Sequence, residues 1–146
     1  MQNVAFKQTL LRTGLLAFFC LALFSFKAPF GVDSYEIYLN NKLVLKQYAS
    51  KEVSLQSLAL DKASPDDQLV VYYTHCHNKA SGTGRSLTIK DDGGCIVKEW
   101  KFEDGKKGMS IPVKALQQLE KNNAKSHLTL YYAASELPGG QMLAAL

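Results

Sequence analysis

The sequence is poor in the residues from which sites are usually built: one tryptophan, three histidines, three cysteines and four prolines in 146 residues. It contains no Gly-x-Ser-x-Gly elbow and no His-Glu-x-x-His, which removes the familiar serine-hydrolase and zinc-protease signatures. No Cys-x-x-Cys occurs, so the spacing of a structural zinc site is missing. Gly82 and Gly84 do not open a helix and make no phosphate cradle. The acids between Asp61 and Asp67 lack the alternating oxygen ligands and the glycine of a calcium loop, and read as a solvated turn. Asp66-Asp67 and Asp91-Asp92 are turn residues rather than a glycosidase pair. No internal repeat, no low-complexity segment and no strand–helix alternation is present, which argues against a parallel sheet.

What is there begins with an uncharged apolar run, Gly14 to Phe26, behind Lys7 and Arg12. A basic stretch followed by an apolar run of this length is the pattern of a secretory signal, and it falls short of the roughly 20 residues that span a bilayer. Residues 1–28 are therefore expected to be a signal peptide and 29–146 a mature domain, periplasmic or extracellular. Ala28 suits the last position before a cut, whereas Phe26 stands where a small residue is wanted, so an uncleaved anchor stays open. Cys20 follows Ala17, Phe18 and Phe19, a poor lipoprotein site. The chain carries a net charge of +4. Removing Lys7, Arg12 and Lys27 leaves 14 basic groups against 13 acidic ones, about +1. No basic stripe for nucleic acid survives, and contact with a membrane is expected only through the signal segment, if that segment stays uncleaved. Lys106-Lys107 is an isolated pair, read as a turn.

The mature chain reads as short strands. Glu36 to Leu39 and Lys42 to Gln47 flank Asn40-Asn41, and asparagine tolerates positive φ, so a two-residue hairpin is expected. The alternation places Ile37 and Leu39 on one face, and Leu43 and Leu45 on one face of the second strand. Val53 to Leu60 is a third, poorly patterned strand. Gln68 to Thr74 is the strongest strand, expected to be central. Arg85 to Lys90 follows, with Leu87 and Ile89 inward, then an Asp91–Gly94 hairpin turn. Cys95 to Phe102 carries Ile96, Trp100 and Phe102 on one face, which Lys98 interrupts unless a bulge intervenes. Met109 to Ile111 is extended, and Val113 to Lys121 is a helix with Pro112 in its first turn and Ala115, Leu116 and Leu119 as its stripe. His127 to Tyr132 places Leu128, Leu130 and Tyr132 inward. Pro138-Gly139-Gly140 is expected to turn the chain into a last strand, Gln141 to Leu146. Seven or eight short strands with one short helix predict an all-β fold, an antiparallel β-sandwich.

The runs Tyr35 to Tyr48, Asp67 to Cys76, Arg85 to Phe102 and Leu128 to Leu146 give the chain its likeness. So do Tyr72-Tyr73-Thr74-His75-Cys76 and Glu136-Leu137-Pro138-Gly139-Gly140. In these it resembles uncharacterised small exported β-sandwich proteins of bacterial envelopes. The resemblance covers most of the mature chain and implies the fold and export, and no activity.

The one dense set of donors is His75-Cys76-His77. Imidazole and thiolate bind zinc and copper. Neighbours on a strand point apart, so His75 and His77 share one side and Cys76 faces away. A copper or zinc ion there needs a third donor, for which His127, Met109 and Met142 have the chemistry. The alternative is that both histidines are solvated where a strand frays and Cys76 is buried as a small apolar residue. Cys76 and Cys95 fall at opposite ends of an up-down-up strand arrangement, which opposes a disulfide unless a strand is short, bulged or crosses sheets. A cysteine between histidines also suggests a small thiol-redox protein, although the alternation of side chains works against a dyad. Trp100 and the seven tyrosines could line a sugar-binding face, yet most fit as strand and core aromatics. The leading expectation is a non-enzymatic binding or structural module for a protein or glycan ligand.

Overall fold

The computed structural model describes residues 31–49, 55–76, 82–105 and 107–146. The expected signal segment and His77 lie outside the described residues. The described residues form eight strands: β1 Ser34–Leu39, β2 Lys42–Tyr48, β3 Gln68–Thr74, β4 Ser86–Lys90, β5 Ile96–Lys101, β6 Met109–Pro112, β7 Thr129–Ala134 and β8 Leu137–Ala145. Among the described residues one helix, α1 Val113–Asn122, joins β6 to the segment before β7, and a 3-10 turn covers Leu60–Lys62. The strands make two four-stranded sheets, ordered β2-β1-β3-β6 (sheet 1) and β5-β4-β7-β8 (sheet 2), with every neighbouring pair antiparallel. The two inner faces share one core, in which Ile37, Leu69, Val71, Met109 and Ile111 from sheet 1 cluster with Leu87, Ile89, Leu130, Tyr132 and Leu143 from sheet 2. This is the sandwich-like all-β fold with one short helix that the strand spacing predicts.

Local chemistry explains most of the elements. Asn40 and Asn41 take φ of 48° and 63°, the left-handed pair that a two-residue hairpin requires. Asp91 Oδ1 accepts the N–H groups of Gly93 and Cys95, and Gly94 takes φ of 77°, which closes the β4–β5 turn. In α1, Val113 and Leu116 are buried, and Gln117 ties the helix to the 3-10 turn by donating to the carbonyls of Leu60 and Ala63. Pro112 stands just before the helix, with extended backbone, rather than inside its first turn.

Four further expectations are corrected. Leu43 is exposed, because Ile37 faces Leu45 while Tyr38 faces Leu43. Val44 is thus the extra residue of a bulge, and it turns Leu43 to the outer face. Ile96 is 62% exposed and does not share a face with Trp100. Ile89 pairs with Lys98 and Lys90 with Ile96, so the bulge falls at Val97. Trp100 stays inward opposite Leu87, and Lys98 reaches solvent because β5 is an edge strand. Residues 55–60 form no strand, only a parallel bridge from Ser57 to Ala145, with Leu58 and Leu60 buried as plugs. Finally, Pro138-Gly139-Gly140 is not the turn. The chain reverses at Ser135-Glu136, and the three residues lie inside β8 opposite Ala133 alone. A proline without an N–H is tolerated there because β8 is an edge strand, and Gly140 absorbs the distortion with φ of 70°.

Candidate functional site

Among the described residues one polar cluster lies inside the sandwich and another on its outer surface. The inner one grows from the alternation of β3. Leu69, Val71 and Tyr73 point inward, and His75 continues their row past the end of the strand. His75 is only 7% exposed, so it is not a solvated residue of a frayed end. Asp33, just before β1, receives it. Asp33 Oδ2 lies 3.0 Å from His75 Nδ1 and accepts the Tyr73 hydroxyl at 3.1 Å, while Oδ1 accepts the Cys76 N–H at 2.8 Å. On the other side, His75 Nε2 lies 3.0 Å from the Tyr132 hydroxyl. A carboxylate facing Nδ1 favours a proton on that nitrogen, and in that tautomer Nε2 accepts from the Tyr132 hydroxyl.

This chain of hydrogen bonds joins the two sheets, because Tyr73 belongs to sheet 1 and Tyr132 to sheet 2. Their rings also stack, with centroids 4.0 Å apart and planes 14° from parallel. Burial pushes the Tyr132 hydroxyl up to about 12; the Arg85 guanidinium opposes the rise, and Glu136 and Asp33 add to it. Burial, and then the charge of Asp33, push Tyr73 far above the ordinary phenol range.

The order carboxylate, imidazole, hydroxyl is that of a catalytic triad. Here, however, the hydroxyl is a fully buried tyrosine. Gly82 closes over the last bond: a Cβ there would lie 2.5 Å from the Tyr132 hydroxyl and 2.8 Å from His75 Nε2. The backbone therefore occupies the position a substrate needs. Every buried side-chain nitrogen and oxygen among the described residues has a partner, as expected of a structural network.

Among the described residues the candidate donors His75, Met109, His127 and Met142 are not brought together. Both nitrogens of His75 are engaged, and a metal ion would have to displace Asp33 or Tyr132. Met109 is buried in the core opposite Val71, four residues along β3 from His75. His127 precedes β7 at the far end, where its N–H donates to Asp92, and Met142 faces Tyr131. Among the described residues no group of three His, Cys, Asp or Glu side chains is placed to hold a metal ion. The described residues therefore do not fit copper or zinc at His75 without dismantling the network. Cys76 and Cys95 are free thiols. Cys76 sits beside His75 and Cys95 in the β4–β5 turn, with the length of β4, about 17 Å for five residues, between the two ends of the sandwich.

A second buried group escaped the sequence reading. Arg85 is 3% exposed and spends its guanidinium on backbone carbonyls: Nε and Nη2 donate to Glu103, Nη1 to Lys107 at 2.9 Å. It fastens the β5–β6 loop to β4. An arginine at the start of a strand with an otherwise apolar inner face was the available signal.

The outer region is the outward face of sheet 1. Glu36 and Tyr38 of β1, Val70 and Tyr72 of β3, and Asn41 of the hairpin line an open groove of about 380 Å³. The Tyr38 and Tyr72 rings meet edge to face, with centroids 5.6 Å apart. Lys46 Nζ lies 2.7 Å from Glu36 Oε1, and the Tyr38 hydroxyl donates to Glu36 Oε2 at 2.9 Å. These hydrogen bonds, Lys46 first, hold the Glu36 carboxyl below the usual range. Leu43, Tyr48 and Tyr72 leave 45%, 65% and 42% of their surface exposed. Among the described residues no helix is long and apolar enough to cross a membrane. No family model, curated protein or solved structure matches this chain.

Proposed function

We propose that this protein is a non-enzymatic binding module, exported to the periplasm or the extracellular space, that takes a protein or glycan ligand on the outward face of sheet 1. The observation that carries this reading is the division of the tyrosines. Tyr35, Tyr73 and Tyr132 are buried, with hydroxyls engaged inside the protein, whereas Tyr38 and Tyr72 line an open groove. Tyrosine combines a large, stiff apolar surface with a polar tip at low entropic cost, which is why it is favoured where proteins bind. Export rests on the basic and then apolar N-terminal pattern.

Hydrogen exchange of the full chain tests the reading. The wild type and a Tyr38→Ala, Tyr72→Ala double variant are each mixed with a soluble envelope fraction split into protein and polysaccharide pools. Protection of β1 and β3 by one pool, lost in the variant, is expected. Protection confined to sheet 2, or none with either pool, overturns it.

A further inference from the structure

The groove on sheet 1 also limits what can fill it. Its one charged lining residue, Glu36, is neutralised by Lys46 at 2.7 Å. An ionic ligand therefore finds no net charge to answer its own. The main chain offers little: β1 pairs on both sides, and β3 pairs with β1 along its length and with β6 over Gln68–Val71, so most N–H and C=O groups beneath the groove are spent in the ladders rather than left for an added strand. What remains is side-chain chemistry. Each Glu36 oxygen already holds one donor and keeps a second lone pair. The Tyr38 hydroxyl, donating to Glu36, still accepts. The Asn41 amide, both donor and acceptor, projects from the hairpin without a hydrogen bond among the described residues. Tyr72 adds a ring held in place from behind, because Gly108 packs so closely that a Cβ would lie 2.4 Å from Val70 Cγ1 and 2.8 Å from Tyr72 Cζ.

A neutral ligand with an apolar flat face and a rim of hydroxyls fits this set. We infer that the groove binds a neutral saccharide, with a pyranose ring against Tyr38 and Tyr72 and its hydroxyls on Glu36 and Asn41. The volume, about 380 Å³, lies in the range of small-ligand sites. This assignment rests on the binding reading above and names its ligand class.

The test is an amide chemical-shift titration of the full protein with cellohexaose, xylohexaose, maltohexaose and chitohexaose, with oligogalacturonate as the anionic control. At least one neutral hexaose is expected to shift Tyr38, Asn41, Val70 and Tyr72, equally at about 50 and about 500 mM salt. Tyr72→Ala is expected to weaken that binding about tenfold or more. Gly108→Ala, which moves the ring without removing it, should weaken it less; a cooperative thermal transition, even at a lowered midpoint, shows that both variants fold. No groove shifts with any neutral hexaose up to about 10 mM, or shifts only with the anionic control that vanish in salt, overturn the saccharide. If the saccharides fail while the protein pool still protects β1 and β3, the saccharide falls and the binding face stands. If both fail, both fall.

Discussion

Tyr72 and Tyr73 are neighbours in the chain and live in different parts of the molecule. Tyr73 is 2% exposed, stacked on Tyr132 and bonded to Asp33. Tyr72 is 42% exposed and lines a groove beside Tyr38. The pleat of one strand sends identical side chains to opposite faces. Within the sandwich the hydroxyl is a structural donor, and its partners are fixed at both ends. On the surface the same group is left available. Polar side chains therefore cannot be ranked as functional by type; what separates them is whether the protein already uses their hydrogen bonds.

The comparison breaks most sharply by truncating each tyrosine in turn. Tyr73→Ala should lower stability by about 4 kcal/mol, measured by urea unfolding, and Tyr72→Ala by less than about 1 kcal/mol. Similar losses would show that the two faces are not energetically distinct. Asp33→Ala comes next, at about 3 kcal/mol, since it strips the acceptor from His75, Tyr73 and the Cys76 N–H together. A shift in the unfolding midpoint too small to detect would mean that water replaces Asp33 freely and the site is not sealed. Gly82→Ala should cost about 2 kcal/mol, because φ is 82° and the new methyl would press on the His75–Tyr132 bond. Tyr132→Phe, which keeps the ring, should cost about 1 kcal/mol at neutral pH.

Tyr132→Phe also sharpens the contrast through pH. The folded state holds the Tyr132 proton up to about 12, above the ordinary 10.0. The unfolded chain releases it first, so this contribution is fully present below pH 10 and is lost as pH rises towards 12. Tyr73 acts in the same direction. Unfolding followed against pH should therefore show an alkaline loss that is shallower in Tyr132→Phe than in the wild type. Equal alkaline limbs in the two proteins would place the sensitive group elsewhere.

Much of the framework was legible before the structure. The Asn40-Asn41 hairpin, the interior position of β3, the Asp91–Gly94 turn, α1 and the inward row of Leu128, Leu130 and Tyr132 follow from local rules, and they are found. The misplaced faces of Leu43 and Ile96 share one cause. Bulges at Val44 and Val97 each insert a residue that has no partner across the strand. Period-two counting carries every side chain past such a point to the wrong face. The destination of His75 was half legible, since it continues the row of Leu69, Val71 and Tyr73. Its partners were not, because Asp33 is 42 residues away and Tyr132 is 57. The groove was hidden for the same reason: Glu36, Tyr38 and Tyr72 are assembled by strand pairing, not by spacing along the chain.

The sequence by itself determined that this chain builds short strands with one helix and folds two sheets against each other, because alternation, turn residues and helix periodicity act over a few neighbours. Only the tertiary structure decided that His75 bridges Asp33 and Tyr132 between the sheets, that Arg85 holds a loop, and which tyrosines are buried and which line the outer face. A hydrogen bond is a contact at about 3 Å, and which distant groups come that close is fixed by strand register and sheet packing.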